Sequence, residues 1–351
     1  MLQISHHSPI FVHSMLRVRL RLILFYVVVL VAILSAVSLA KLNTFAKLFH
    51  VGIGDVFANL PANVVKDDSV TLLLLGIGGG DHDGPNLTDS ITYLRYMPKS
   101  HTVNTLGIPR DLWDPDIKDK INSIYTYALQ QDKLNTYSYV KEKYTDLLHT
   151  QIDYILVVDF NDFEQLIDLL GGVQIHIDKG FVDTQYPKDG FENAECEPYD
   201  PDYGCRYETL IFRAGDQKLN GNIALKFVRS RHAQGDEGSD FSRSKRQQLV
   251  IGAIRSKLME IIQKRDFDTL ARVLVFIDGK IKRDITNKEF LPLGRTLLLN
   301  SGNVKTVSHT LDEDVFEIPP LEEYEGRYVL IPKDNDFDVL QATVNKILNS
   351  P

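Results

Sequence analysis

Residues 71–80 read Thr-Leu-Leu-Leu-Leu-Gly-Ile-Gly-Gly-Gly. Four consecutive leucines closed by glycine make a short apolar run of the kind buried on both faces, and a run of that length bounded by turn residues reads as a strand of an α/β sheet. Residues 90–96 and 102–108 are rich in β-formers and are joined through Met97-Pro98-Lys99-Ser100, a hairpin signal. Helical stretches follow at 121–131 and 137–149. Residues 154–158 form a second apolar strand, after which Phe160, Phe163, Leu166, Ile167 and Leu170 fall on one face of a helix over 159–170. Gly171-Gly172 ends that helix, since glycine takes the left-handed conformation at a helix C-terminus without penalty. Residues 173–177 return as a strand, and 178–214 read as a long polar insertion. Helices are expected over 219–227, 243–262, 267–277 and 287–299, strands at 304–308 and 328–331, and a last helix from Phe337. The alternation indicates one α/β domain with a C-terminal elaboration.

The N-terminus sets the location. Residues 22–40 carry no charge over 19 positions, and a helix of that length spans roughly 28 Å, close to the roughly 30 Å of bilayer hydrocarbon. Arg17, Arg19 and Arg21 precede it with no acid, so the positive-inside rule places 1–21 in the cytoplasm as a basic tail. A transmembrane helix over 22–40, a juxtamembrane linker over 41–65 and an exterior domain follow, giving a single-pass protein of the cell membrane. Ser38-Leu39-Ala40 leaves a cleaved signal peptide as the alternative.

The chain is acidic, with 39 Lys and Arg against 47 Asp and Glu and a formal charge of −8. The three arginines before residue 22 leave 36 cations against the 47 acids beyond it, a balance of −11. An exterior domain of that sign excludes nucleic acid as a partner, whose binding footprint is basic. Against this background residues 227–248 concentrate Arg229, Arg231, Arg243, Lys245 and Arg246 around Asp240. Arginine keeps its charge and offers a rigid fork of donors that matches phosphate oxygens two at a time, so the cluster reads as a phosphate or pyrophosphate site. The plainer reading is a solvated helix face neutralised by Asp236, Glu237 and Asp240.

Other motifs are weaker. The glycine-rich loop after the leucine run continues into Asp81-His82-Asp83 and then Thr88-Asp89-Ser90. Carboxylates beside a phosphate suit Mg²⁺, yet the loop lacks the Gly-Lys-Ser/Thr of a Walker motif and the Rossmann glycine order, and by itself it reads more readily as a tight turn. Ile108-Pro109-Arg110-Asp111 ends a strand with Lys120-Ile121-Asn122 close behind; Arg110 matters only if it meets Arg229 and Arg231. There is no Gly-x-Ser-x-Gly elbow and no partnered histidine spacing. Cys196 and Cys205, nine positions apart with no histidine at ligand spacing, suggest a disulfide staple over zinc or free thiols.

Taken in order, these fragments resemble one family. Leu72-Leu73-Leu74-Leu75-Gly76, Leu87-Thr88-Asp89-Ser90, Ile108-Pro109-Arg110-Asp111-Leu112-Trp113 and Lys120-Ile121-Asn122 resemble the first half of the LytR-CpsA-Psr family. Asp159-Phe160 with Phe163, Leu170-Gly171-Gly172-Val173, Leu219-Asn220-Gly221 with Ala224-Leu225, and Phe227-Val228-Arg229-Ser230-Arg231 are similar to its second half. Asp240-Phe241-Ser242-Arg243 with Arg246-Gln247-Gln248 is similar to its closing signature. The resemblance covers roughly 66–262, leaving 263–351 as an elaboration packed on the same domain.

The resemblance implies a mixed central β-sheet flanked by helices, with an apolar pocket for a polyprenyl tail. It implies a membrane-anchored, Mg²⁺-dependent phosphotransferase that moves a glycopolymer from an undecaprenyl-pyrophosphate carrier in the membrane lipid onto peptidoglycan through a phosphodiester link. Carried over by motif, Asp89 is a metal ligand; Arg110, Arg229, Arg231 and Arg243 hold the pyrophosphate; Asp240 and Gln247 arrange the site, and Lys120 and Arg246 join the substrate shell. Where many members carry an aspartate two residues after the strand-ending glycine, this chain has Gly78, so Asp81 or, by preference, Asp83 takes that place. A non-catalytic polyprenyl-phosphate-binding scaffold and a lipid-pyrophosphate hydrolase are the rival functions.

Overall fold

The leucine run lies inside a six-stranded sheet. The computed structural model describes residues 64–350 except 66–67, 81–83, 132–133, 189, 192–193, 197–202, 300–303 and 312, together with positions 31, 43, 44, 47 and 51. The basic tail 1–21, the expected membrane helix 22–40 apart from Val31, and most of the linker 41–65 therefore lie outside the described residues. No helix among the described residues is long and apolar enough to cross a membrane.

Along the chain come β1 (Val70–Ile77), β2 (Thr88–Met97), β3 (Thr102–Gly107), the short pair β4 (Trp113–Asp114) and β5 (Asp119–Lys120), α1 (Ile124–Gln131) and α2 (Thr136–Leu148). Next are β6 (Tyr154–Asp159), α3 (Phe160–Leu169), β7 (Val173–Ile177), β8 (Phe181–Pro187), β9 (Tyr207–Phe212), β10 (Gly215–Leu219), α4 (Gly221–Arg229) and α5 (Asp240–Gln263). The chain closes with α6 (Phe267–Lys280), β11 (Lys282–Arg283), α7 (Asn287–Leu299), β12 (Lys305–Thr310), β13 (Phe316–Glu317), β14 (Ile331–Pro332) and α8 (Phe337–Leu348). The large sheet runs β11-β6-β1-β2-β3-β12. β1 is parallel to β6 and β3 to β12, while β1–β2, β2–β3 and β6–β11 are antiparallel. The sheet is mixed, as the resemblance implied, and β1, β3, β6 and β12 all end at the same edge.

The two faces of β1 meet different surroundings. Leu73, Leu75 and Ile77 are fully buried in a core with Ile124 and Tyr125 of α1, Val140 and Tyr144 of α2, and Leu340 and Val344 of α8. Each such leucine contributes about 1.5–3 kcal/mol relative to an exposed one. On the other face Val70, Tyr96 and Tyr154 are covered by Leu293 of α7, with Phe290 and Leu297 beside it. Between that end and the strand termini, Leu72, Leu74, Leu94 and Leu156 are only half-buried. A second core joins Ile175, Ile177, Phe181, Phe212 and Phe227 to Val250 of α5, with the three phenylalanine rings 5.0–5.9 Å apart.

Several expected boundaries move, and the insertion gains structure. The helix expected from Leu219 starts at Gly221, because Leu219 pairs with Val173 at the end of β10 and the Asn220 side chain caps the helix by accepting from the Ile223 N–H. The helix expected from Arg243 starts at Asp240, with Ser239 as its cap accepting from the Ser242 N–H. The polar insertion 178–214 contains the antiparallel hairpin β8–β9, and Cys196 is bonded to Cys205 with their Cα atoms 5.7 Å apart.

Gly221 is where α4 touches α3. A Cβ there would sit 2.3 Å from the Glu164 carbonyl oxygen, a backbone atom that cannot rotate away. Gly221→Ala is expected to destabilise the domain by about 1–3 kcal/mol, read from a denaturant midpoint. A midpoint equal to that of the wild type would remove this contact from the account of how α4 is oriented.

Candidate active site

The site grows from the edge where the parallel strands end. Gly76 pairs with Ser90 and Ile77 with Thr88, so the register slips and Asp89 stands as the extra residue on β2. A bulge of this kind turns a side chain out of the regular alternation. The Asp89 carboxylate forms an ion pair with Nη1 of Arg110, which follows β3. Ser90 Oγ donates to Oε1 of Gln247 at 2.8 Å. Arg243 and Gln247 lie one turn apart on α5 and share a face. With Asp89, Ser90, Gly107 and Ser244 they line one cleft. Its cavity of about 20 Å³ has room for about one water, so this is a place for a small polar group and not for a lipid chain.

Behind this group lies Asp111, 2% exposed. Lys120 Nζ donates to its Oδ1 at 2.7 Å and Arg110 Nε to its Oδ2 at 3.3 Å. Burial alone would raise the Asp111 pKa. The Arg110 charge, then the Lys120 hydrogen bond and charge, then Arg231 outweigh burial and hold it below the ordinary carboxylate value. Asp111 thereby holds Arg110 and Lys120 by direct contact, and its charge reaches Arg231. Sequence reasoning gave Asp111 no role; its position directly after Arg110 was the available signal.

Arg229 ends α4, and its guanidinium lies 4.5 Å from the Phe160 ring centre and 5.6 Å from that of Tyr186. That stacking puts it beside the end of β6. Cation–π contact of this kind orients a guanidinium while leaving its in-plane donors for other partners. The structure thus brings Asp89, Arg110, Arg243 and Gln247 to the cleft, with Lys120 and Arg231 joined through Asp111 and Arg229 at the neighbouring strand end. Asp240 is the first residue of α5. Asp81 and Asp83 lie outside the described residues, as does the side chain of Asp240.

Arg246 corrects its expected place in the substrate shell. It is 3% exposed and donates to the carbonyls of Phe227 at 3.1 Å, Ser230 at 2.6 Å and Glu237 at 2.9 Å, with Glu237 Oε2 at 3.3 Å. Its guanidinium also stacks 4.7 Å from the Phe181 ring centre. The donors that would read a phosphate are committed to the carbonyls that end α4. Burial lowers its pKa, opposed by Glu237 and then Asp183.

The glycine-rich loop is a turn with Gly79 and Gly80 at φ +67° and +69°, a conformation open to glycine and strained for other residues. Gly79 also donates its N–H to the Pro85 carbonyl at 2.8 Å and packs on Asp159, where a Cβ would come within 3.0 Å. Among the described residues no group of three or more His, Cys, Asp or Glu side chains could hold a metal ion. Among the described residues that line the cleft Asp89 is the carboxylate, which fits Mg²⁺, an ion that commonly takes one or two carboxylates and completes its shell with phosphate oxygens and water.

The cleft and the half-buried leucines share one face of the sheet. Leu72 and Leu74 alternate with the buried Leu73 and Leu75, and along β2 Leu94 and Ser90 are separated by even steps. Leu94 pairs with Leu72, Leu156 with Leu74, and Ser90 with Gly76. A polar cleft therefore sits at the end of an incompletely covered apolar stripe.

Comparison with known proteins gives a consistent picture. The LytR_cpsA_psr family model matches residues 50–346. A Bacillus licheniformis protein named polyisoprenyl-teichoic acid–peptidoglycan teichoic acid transferase TagU is 26% identical over 228 residues, 64% of this chain and 62% of its own length. The chain thus spans less than two thirds of that relative. Crystal structures of B. subtilis TagV and of TagT bound to LI-WTA share the fold, each with a TM-score of 0.53 at 22% and 21% identity. The TagV match covers 82% of this chain and 100% of that one, and the TagT match 81% and 92%.

The buried Asp111 supplies a pH test. Its depressed pKa means that its stabilisation is complete above the ordinary carboxylate range and is lost as pH falls through the lowered value. Asp111→Asn is expected to cost about 1–3 kcal/mol at neutral pH. The gap between wild type and variant, measured from denaturant midpoints, should close as the pH drops below that range. A gap that stays constant with pH would mean that the carboxylate charge is not what binds the three cations together.

Proposed function

The chain belongs to the LytR-CpsA-Psr family, and we propose that it is a membrane-anchored phosphotransferase that moves a glycopolymer from an undecaprenyl-pyrophosphate carrier onto peptidoglycan. Residues 22–40 would anchor it, with the domain outside the membrane. The observation that carries this reading is that the cleft and the half-buried leucines lie on one face of one sheet. The cleft of Asp89, Ser90, Arg243 and Gln247 would receive one phosphate oxygen of a pyrophosphate held across its mouth, and the half-buried leucines of β1, β2 and β6 continue from it as an apolar path for a prenyl chain. The relative's name, which pairs a polyisoprenyl carrier with peptidoglycan, agrees with that division.

In the proposed reaction a peptidoglycan hydroxyl oxygen attacks the phosphorus that carries the glycan. A new P–O bond forms, the bond from that phosphorus to the bridging oxygen breaks, and polyprenyl phosphate leaves. Catalysis of this kind rests on position and charge, since the protein need make no covalent bond. Arg110, Arg229, Arg231 and Arg243 would meet the phosphate oxygens, Gln247 would orient them, and Asp111 would keep Arg110, Lys120 and Arg231 from dispersing. Asp89 would hold Mg²⁺, which when bound neutralises phosphate charge. The hydroxyl proton goes to a site carboxylate, with Asp89 and Asp240 as the two candidates.

The test is incubation of the full chain in detergent with a short-chain polyprenyl-pyrophosphate glycan, Mg²⁺ and peptidoglycan fragments, with products identified by mass. The expected product is a glycan–phosphate–peptidoglycan adduct. Its rate of formation should fall about 10²–10³-fold in Arg229→Ala or Arg243→Ala, the scale for losing one donor to developing charge, and should vanish with Asp89→Ala. Full activity in Arg229→Ala would sink the assignment. Glycan phosphate released without adduct would make the protein a hydrolase, and binding without turnover would make it a scaffold.

A further inference from the structure

Arg229 and Arg231 flank Ser230, whose backbone is extended at φ −53° and ψ 131° and which is fully buried. Ser230 is the first residue after α4, and Arg229 and Arg231 on either side of it are only partly buried. What grips Ser230 therefore fixes the backbone from which both arginines extend. From the α5 side, Arg246 takes its carbonyl at 2.6 Å. From the opposite side comes Asp183 of β8, also fully buried. One carboxylate oxygen, Oδ2, accepts from Ser230 Oγ at 2.6 Å and from the N–H groups of Arg231 and His232, each at 3.2 Å. The other oxygen accepts from the Gln185 N–H at 3.0 Å.

Burying a carboxylate is costly unless its oxygens are satisfied, and here they are satisfied by the segment that carries the arginines. The Ser230 N–H already bonds to the Lys226 carbonyl at 3.0 Å, so all three polar groups of Ser230 are committed. β8 belongs to the stapled hairpin insertion, and Asp183 also forms an isolated bridge with Ala233, just beyond the segment. Hydrogen bonds to a charged acceptor are shorter and stronger than neutral ones, which suits a group that must hold a turn against mutual repulsion of neighbouring cations.

We propose that Asp183 is the positioning residue of the arginine pair: its buried carboxylate, together with Arg246, fixes Ser230 and so aims Arg229 and Arg231 at the phosphate group. The hairpin insertion is thereby part of the anion site. The choice of a phosphate as target rests on the function proposed above, whereas the clamping of residues 229–232 does not.

The experiment compares wild type, Asp183→Asn and Asn104→Ala as full chains. Asn104 holds the carbonyls of Leu348 and Ser350 at the end of α8, so its loss supplies a destabilised control outside the cleft. Amide hydrogen exchange should quicken at residues 229–233 in Asp183→Asn and remain at the wild-type rate there in Asn104→Ala. Affinity for inorganic pyrophosphate, measured well below either melting temperature, should fall at least tenfold in Asp183→Asn and stay within twofold in Asn104→Ala. Unchanged exchange at 229–233 in Asp183→Asn overturns the proposal. So does an equal loss of pyrophosphate affinity in both variants, which would reveal a merely structural role. If Asp183→Asn fails to fold, Ser230→Ala takes its place with the same two readouts and the same criteria, at an expected loss of threefold or more. If the wild type does not bind pyrophosphate, the proposed function falls, and the exchange result still decides whether Asp183 holds the segment.

Discussion

The pairing of β1 with β2, in register along the leucines and slipped by one residue after Gly76, is the constraint on which the rest of the site depends. In-register pairing puts Leu72, Leu74 and Leu94 on one face, opposite the buried Leu73 and Leu75. The slip then frees Asp89 at the end of that face while Ser90 remains paired and reaches Gln247. A strand shifted by one residue would exchange the two faces entirely, sending the core leucines toward α5 and the cleft residues into the packed side. The fully buried partners of Leu73 and Leu75 on α1, α2 and α8 make that exchange costly. The core on one face therefore secures the geometry of the cleft on the other.

The charges follow a similar logic of opposed layers. Four arginines and a lysine cannot be gathered in an acidic domain without counter-ions placed to gather them. Asp89, on the bulge at the start of β2, and Asp111, in the loop after β3, do this, both meeting Arg110. Asp111 is buried and Asp89 is half-exposed at the cleft, so the first is a fixed structural charge and the second remains open to exchange partners. Arg246 is the inverse case, a cation withdrawn from solvent to satisfy the carbonyls at the end of α4, where the helix dipole favours positive charge. The cluster read from sequence as one group thus divides, with Arg243 lining the cleft and Arg246 built into the scaffold.

Most of the architecture was legible because its physical causes are local. The leucine run, the amphipathic face over 160–170 and the Gly171-Gly172 stop each express burial or backbone preference within a few residues. The errors fall where a partner distant in sequence prevails. Leu219 fits the helical spacing of the residues after it, but its pairing with Val173, 46 positions earlier, makes it the end of a strand. The first turn of α5 is polar apart from Phe241 and has no glutamate at its third position to announce the Ser239 cap. The hairpin within 178–214 was hidden because most outward residues of β8 and β9 are polar or aromatic, exposed Ile211 blurs the alternation, and the buried pair Leu210 and Phe212 is brief. Arg246 could not be separated from Arg243 by composition, since only the placement of α4 shows which side of α5 each one faces.

Of the site residues named from motif, Asp89, Arg243 and Gln247 line the cleft, and two residues that were passed over, Asp111 and Asp183, hold their neighbours from behind. Asp111 sits next to Arg110 in sequence yet acts on Lys120 and Arg231. Asp183 lies 47 positions from Ser230 and inside a segment that composition marks as a polar insertion. The proposed phosphate site must collect like charges and keep them aimed; the collecting is visible in the arginines, and the proposed aiming falls to buried acids. Buried acids carry little sequence signature, because nothing about a lone aspartate announces that its oxygens will be satisfied by backbone N–H groups of another segment. For a site built on charge, the cations thus mark where it lies, and the acids behind them, found only in three dimensions, determine whether it is shaped to bind.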